Sequence, residues 1–590
     1  MKVRLPVMVK DTMHAAYLGV QLTENWEITD EEFFLDGPVT RRVAIIDFDE
    51  TTGEVSTPVR FNPPAPGAKI GRYDVPEQVT TLAEVLDTKF IRVCALSAVL
   101  RTIKMFEDED ALGRPVTWAF DHPQLLVVAR AGRWENAFYE RDSRSLQFFY
   151  FTSAAPPYET IYTCLSNDVV AHETGHAILD GVAPDLYNAT TPQSLALHEA
   201  IADLVAVVMA FRSNKLRLAA LKQTGGNIHD SRAFAGIAEQ FQLAMSPFGE
   251  KHFLRELLND KSLDPNLPAG DPNRVRRDEP HALSEVLSGA LYRVMMEIYQ
   301  QRWDKAVAEE LKQRREKGEQ ITPDIEAKVK FSTSGKSLAL AAEHFKRMIF
   351  RALDYLPPGE VSFADYGRAI LAADQASHPE QSTGRDRLRA EFLRRGIVAD
   401  AKSLDVQTNY REPAVENLDL QRLVESDWAA YEFADTHRAF LGIPEGIHFR
   451  VRPRLMTSKS IYRGRHTGTK TAQAHECILK VSWDHKEPSP IGRGFPAERQ
   501  ITVGTTLVID KETRKIRAKL TSDYALPEQL ADRDALLRQL ADNGVLCVGA
   551  AAIGPDGKVL NSAIAAEVMD GLMRVRGTAR MLHICGGDRS

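Results

Sequence analysis

No run of about 18 consecutive apolar residues occurs in the 590-residue chain, so the sequence offers no candidate membrane-spanning helix. Basic residues are not in excess: 74 Lys and Arg against 81 Asp and Glu give a net charge of −7. A nucleic-acid partner, which needs a concentrated cationic surface, is therefore not expected. Cysteines are few. Cys94, Cys164, Cys477, Cys547 and Cys585 are odd in number and show no C-x-x-C spacing. That excludes a thiolate-rich zinc site and a disulfide framework, and it suits a reducing compartment. Lys10, Asp11 and His14 interrupt the first twenty residues, which lack the apolar core of a secretory leader. The expected location is the cytoplasm, with no membrane partner.

What remains is a globular composition in a chain too long for one core. Residues 1–80 mix short alternating runs with turn residues and read as a β-containing accessory segment. Residues 81–211 read as a first lobe: a helical pattern, two strand-like runs around Asn136, and two further helical patterns. Residues 212–398 are mostly helical, with a densely charged excursion at 301–330 that reads as an exposed face. A boundary falls near 400. Beyond it, 417–441 is helical, 445–520 alternates like strands, 527–543 is helical and 545–552 closes as a strand. The expected fold is a multidomain α+β chain: a β-rich lobe, a central metal-binding helix, a mainly α lobe and a separate mixed α/β domain at 399–590.

Chemistry concentrates between residues 168 and 203. His172-Glu173-Thr174-Gly175-His176 places two imidazoles four residues apart, on one face of a helix. Zinc accepts neutral imidazole nitrogen and carboxylate oxygen, and a catalytic site leaves one position open for water. Glu173, beside the first histidine, can reach that water as a general base. Glu199, in the phrase His198-Glu199-Ala200-Ile201-Ala202-Asp203, is the natural third ligand. Asp203, one turn on, can orient a ligating imidazole. No histidine lies in 177–186, so a third histidine close behind the motif is absent.

These phrases resemble the thermolysin-like metallopeptidases, the glutamate-zincins. Asp168 to His176 looks like the family's central-helix signature and Glu199 to Asp203 like its third-ligand helix. The resemblance implies one Zn2+ held by His172, His176 and Glu199, with Glu173 as catalytic base and Asp203 orienting His172. Asn136-Ala137-Phe138 is similar to the family's edge-strand phrase, which implies that Asn136 and Ala137 hold an extended peptide. Tyr187 is similar in position to the tyrosine that stabilises the developing oxyanion, with an insertion of three residues near Thr190-Thr191-Pro192. Met348 to Leu353, Pro357-Pro358 and Ser362 to Asp365 look like the family's closing helices, so the resemblance spans roughly 95–398.

The departures are specific. The family's second oxyanion donor is a histidine, and here either His281 or a registration that puts Glu285 in its place fits. His281 is the expected donor, with Asp278 orienting it. His198 stands where the family usually has asparagine. Calcium is compatible with the family, but no acidic cluster indicates it. The resemblance implies a zinc-dependent endopeptidase acting on a peptide or protein substrate. Residues 1–80 and 399–590 are expected to regulate it, the latter by offering a surface to a protein partner. The alternative is a binding or scaffold protein that keeps the fold without the activity.

Overall fold

The computed structural model describes residues 2–13, 21–29, 31–77, 79–154, 158–230, 232–245, 254–380, 383–407, 410, 413–462, 470–492, 494–548 and 564–579. Cys585 and the end of the 545–552 strand pattern lie outside them.

The first strand, β1 (Lys2–Met8), pairs antiparallel with β2 (Thr23–Thr29). Its alternating Val3, Leu5 and Val7 are fully buried in the same apolar core as the helix α1 (Thr88–Glu107). The N-terminal strands are therefore built into the first lobe's core. A second sheet runs in the order β3 (Val43–Ile46), β4 (Leu125–Val128), β6 (Ser145–Phe148), β5 (Ala137–Glu140). The strand that follows Asn136 is thus an edge, with one side unpaired in the sheet.

Two helices follow and pack on each other. The first, α2 (Asn167–Val182), opens at Ser166, whose side chain accepts the Val169 N–H at 3.4 Å. The second, α3 (Pro192–Arg212), starts with proline in its first turn, where a missing N–H costs nothing. A Cβ on Gly175 would meet Val205 Cγ2 at 3.1 Å and Ala202 Cα at 3.3 Å. The absent side chain lets α3 approach α2 closely enough for the two to share a site. By length and composition α3 could cross a membrane, but its apolar stretch is entirely buried in this fold.

The next lobe is helical: α4 (Pro280–Glu316), α5 (Pro323–Arg351), α6 (Phe363–Ser377) and α7 (Thr383–Arg394). The charged excursion at 301–330 is the far end of the α4–α5 hairpin. Ion pairs four residues apart line it, such as Lys328 with Asp324 and Lys330 with Glu326.

The region expected to be helical at 417–441 holds three short helices: α8 (Leu420–Glu425), α9 (Asp427–Thr436) and α10 (Arg438–Leu441). Ser426 and His437 interrupt them, each with a non-helical backbone. Seven strands follow: β7 (Phe449–Tyr462), β8 (Lys470–Pro488), β9 (Glu498–Asp510), β10 (Lys515–Thr521), β11 (Leu546–Val548), β12 (Ile564–Met569) and β13 (Leu572–Val575). The sheet order is β7-β8-β9-β13-β12-β11, with β10 also on β9. Helix α11 (Pro527–Asp542) precedes β11.

Successive strand residues face opposite ways, and this sheet uses both faces. Leu479 and Leu507 pack with Leu420, Leu423 and Phe433 in a core of their own. Their neighbours Ile478 and Val508 belong to the main core. Buried charges cross the same boundary. Asp354 pairs with Arg114 and Lys459, each at 2.7 Å. Glu476 receives Arg351 at 3.1 Å and the Tyr355 hydroxyl at 2.8 Å. Burial alone would raise the Glu476 pKa, but the charges of Arg351 and Arg517 outweigh it and hold it at about 2.

Candidate metal centre

Helices α2 and α3 bring His172, His176 and Glu199 together, each buried. The two Nε2 atoms are 3.0 Å apart. Glu199 places Oε2 3.7 Å from His172 Nε2 and Oε1 3.5 Å from His176 Nε2. Ligands about 2.0–2.1 Å from one tetrahedral centre are themselves separated by roughly 3.3 Å, so this donor set fits a single ion of zinc's size.

The backs of the rings are held too. Asp203 Oδ1 lies 3.0 Å from His172 Nδ1, and His198 Nδ1 lies 2.7 Å from His176 Nδ1. Both arrangements leave Nε2 facing the centre.

Glu173 points to the same place from the next position on α2. One of its oxygens accepts the Tyr139 N–H of the edge strand β5 at 3.0 Å. Burial, then the charge of Glu199, push its carboxyl well above the usual range, while Arg255 and the Tyr139 N–H act in the opposite direction. The edge strand is fixed to α2 at a second point. Asp180 accepts the Tyr139 hydroxyl at 2.7 Å and Arg141 Nε at 2.9 Å.

Sequence reading missed Arg255. It sits in a two-residue strand, Arg255–Glu256, paired with Gly236–Ile237. Its guanidinium reaches Asp203 at 2.8 Å, Glu199 at 3.1 Å and His172 Nε2 at 3.2 Å. The arginine thus balances part of the negative charge of the ligand set. No local pattern marks it, because it reaches the site through the fold and not through helix spacing.

The other expected residues fall as follows. Asn136 precedes β5, and its Oδ1 accepts the Ala137 N–H at 2.8 Å. Tyr187 is buried, with the Arg141 guanidinium 4.2 Å over its ring; its hydroxyl accepts the Arg141 N–H at 3.5 Å. His281 begins α4 and is half-exposed. Burial would lower its pKa, but Glu279 and the charge of Glu199 outweigh this and raise it. Glu285 is paired with Lys261 at 2.8 Å. Both oxygens of Asp278 accept from Arg276, at 2.9 and 2.6 Å. The carboxylate beside the ring is Glu279, 3.4 Å from His281 Nδ1.

A second trio of ligand-type residues is His344, Asp374 and His378. Here one oxygen, Asp374 Oδ1, takes both imidazoles, His344 Nε2 at 3.2 Å and His378 Nδ1 at 2.9 Å. Arg385 occupies the other oxygen at 2.7 Å. Elsewhere, a polar cavity of about 220 Å³ opens between the 184–190 turn and the C-terminal sheet, lined by Arg450, Arg574 and Arg576 among others. It includes neither trio.

No family model and no curated protein matches this chain. Among solved structures it is similar to the "Precursor of Protealysin, Metalloproteinase from Serratia proteamaculans", at 13% identity and a TM-score of 0.34. The likeness covers 63% of this chain and 90% of that one. A TM-score that low carries no weight for function, and the site's own geometry has to carry it.

Proposed function

We propose that the chain is a zinc-dependent endopeptidase of the thermolysin-like kind. The observation that carries this reading is the convergence of both Nε2 atoms and Glu199 on one point, with Glu173 beside them and an edge strand alongside. His172, His176 and Glu199 would hold the ion. A bound Zn2+ supplies Lewis acidity, polarising a carbonyl and lowering the pKa of water toward about 7.

The protein's own groups do the rest. An extended peptide lies along the outer edge of β5, where the N–H groups of Ala137, Tyr139 and Arg141 are already held by Asn136, Glu173 and Tyr187 and main-chain carbonyls are left to accept from it. Tyr139 holds one oxygen of Glu173, so the other is left to take a proton from the attacking water and return it to the departing amine. Burial makes that carboxylate a stronger base than one in water. The donor to the developing oxyanion is assigned to His281, whose pKa is raised by Glu279 and the charge of Glu199, and Tyr187 is the second candidate donor.

The test is Glu173→Gln in the full chain, measured for zinc content and for cleavage of a mixed peptide library. The variant should keep one zinc per chain and lose about 10²–10⁴-fold in rate. A parent chain that binds zinc and cleaves nothing would favour the scaffold alternative. A variant that cleaves like the parent would sink the assigned base.

A further inference from the structure

We propose that the polar cavity between the 184–190 turn and the C-terminal sheet binds a small zwitterion, a molecule with a carboxylate at one end and an ammonium at the other, as in a free dipeptide. The inference does not rest on the zinc reading, because the cavity includes none of the metal-centre residues.

The register of the sheet builds a cationic wall. Arg450 on β7 lies opposite Ser482 on β8. Asp484, two residues on, shares that face and lies opposite Thr502 on β9. β13, on the far side of β9, brings Arg574 to the same carboxylate. Asp484 Oδ1 thus accepts from Arg450 at 3.3 Å, from Arg574 at 3.2 Å and from the Thr502 hydroxyl at 3.3 Å. One shared oxygen leaves most N–H donors of the two guanidiniums uncommitted. Arg576, just past β13, adds a third, anchored on Glu567 at 3.1 Å.

The opposite wall is acidic. Glu360 lines the cavity but is spent: one oxygen accepts the Thr190 N–H at 2.8 Å and its hydroxyl at 3.0 Å, and the other accepts the Thr191 N–H at 2.8 Å. Asp185 is not spent. It is half-buried and lines the cavity, and among the described residues no hydrogen bond or ion pair reaches its carboxylate. Desolvation raises its pKa, against the charges of Arg450 and Lys480. A desolvated carboxylate with no donor is costly, and a ligand that brings one relieves the cost.

The two walls ask for opposite charges. A simple anion would suit the arginines and repel Asp185, and a simple cation would do the reverse. A carboxylate matches the guanidinium fork, and an ammonium matches Asp185. Peptide termini are captured by such groups. The volume of about 220 Å³ exceeds the ~30 Å³ of one water several times over, which leaves room for a dipeptide. Tyr187 stands on the same turn, whose other ties run to the sheet's far end: the Thr578 hydroxyl donates to the Tyr187 carbonyl at 3.3 Å and the Gly577 N–H to Asn188 Oδ1 at 2.9 Å. A ligand joining Asp185 to the arginines would brace that turn.

Calorimetric titration of the full chain with glycylglycine, its N-acetyl derivative and its C-terminal amide tests the proposal, before and after zinc is added. Glycylglycine should bind at one site per chain, equally with and without zinc. Loss of either charge should weaken binding about 10–100-fold. Arg450→Gln should weaken glycylglycine by a similar factor. Asp185→Asn should do so too, yet leave the N-acetyl derivative no weaker than in the parent, a selectivity that misfolding would not produce. No binding of glycylglycine would overturn the proposal. So would an N-acetyl derivative that binds as tightly as glycylglycine, which would mark a plain anion site, or binding that appears only with zinc, which would place the ligand at the metal centre.

Discussion

Two trios of histidine and carboxylate lie buried among the described residues, and each takes two members from positions four apart, His172 with His176 and Asp374 with His378. The composition of the trios is almost the same, yet their chemistry differs. In the first, Asp203 and His198 lie against the far sides of the rings and the near nitrogens converge beside Glu199, with the Arg255 guanidinium 3.2 Å from His172 Nε2. In the second, Asp374 sits at the middle and both imidazoles point their N–H groups at its one oxygen. Arg302 stands 3.4 Å from His344 Nδ1, and a guanidinium can only donate. His344 Nδ1 must therefore hold the lone pair and Nε2 the proton, which removes Nε2 as a ligand. The lesson is that the groups behind a histidine, and not the number of histidines, decide whether a cluster binds an ion or is a closed hydrogen-bond network.

That contrast can be broken most directly by counting ions. His172→Ala should reduce bound zinc from one per chain to none and abolish peptide cleavage, while His378→Ala leaves the ion count at one. Metal analysis of the purified chains decides it, and a parent with two ions that falls to one in His378→Ala would erase the distinction. Next in size is Asp374→Asn, which leaves the partly buried Arg385 without its anion beside two buried imidazoles. Loss of one partner from such a pair costs about 3–5 kcal/mol, so the urea midpoint should drop sharply with zinc content unchanged. On the other side of the comparison, Asp203→Asn should weaken zinc about 10–100-fold with little change in fold.

The smallest effect is a pH slope. An unfolded histidine takes up a proton near pH 6.5, but burial keeps native His344 neutral down to about 3. Between those values only the unfolded chain binds the proton, so stability falls as pH drops, by about 1.4 kcal/mol per unit. His378, also lowered by burial, adds to the slope, whereas Asp374 stays ionised throughout the window. Arg302, Arg347 and Arg385 face the cluster and reinforce the neutral form of the rings. His344→Gln should flatten the slope between pH 6.5 and 5 in urea titrations, and an unchanged slope would show that other groups carry it.

The first trio was legible in the sequence because helix geometry is local. Four-residue spacing fixes His172 and His176 on one face, and Asp203 follows Glu199 by the same rule. The strands of the C-terminal sheet were legible through their alternation, and the helix at 527–543 through its period. What could not be read depends on long-range approach. Arg255 arrives from a short strand pair, and the close passage of α3 rests on Gly175 lacking a side chain. The pairing of Asp278 with Arg276, two residues away, was likewise not marked in the sequence. How residues 1–80, expected as an accessory segment, join the first lobe's core was not legible for a related reason. Three alternating residues in β1 are too few to show from sequence which core they enter.

The pairing of Asp354 and Arg351 with the C-terminal sheet bears on how such an enzyme could be controlled. Cutting the chain near residue 398 would strip Lys459 from Asp354, which keeps Arg114, and Glu476 from Arg351, and it would uncover the apolar face that holds Ile478 and Val508. A buried charge that loses its partner costs up to about 3–5 kcal/mol, against a total stability of about 5–15 kcal/mol for an ordinary domain. The shortened chain is therefore expected to be a denatured fragment and not a liberated enzyme. Any switch acting on the site would have to work with the sheet in place, so removal of this domain belongs to the protein's destruction.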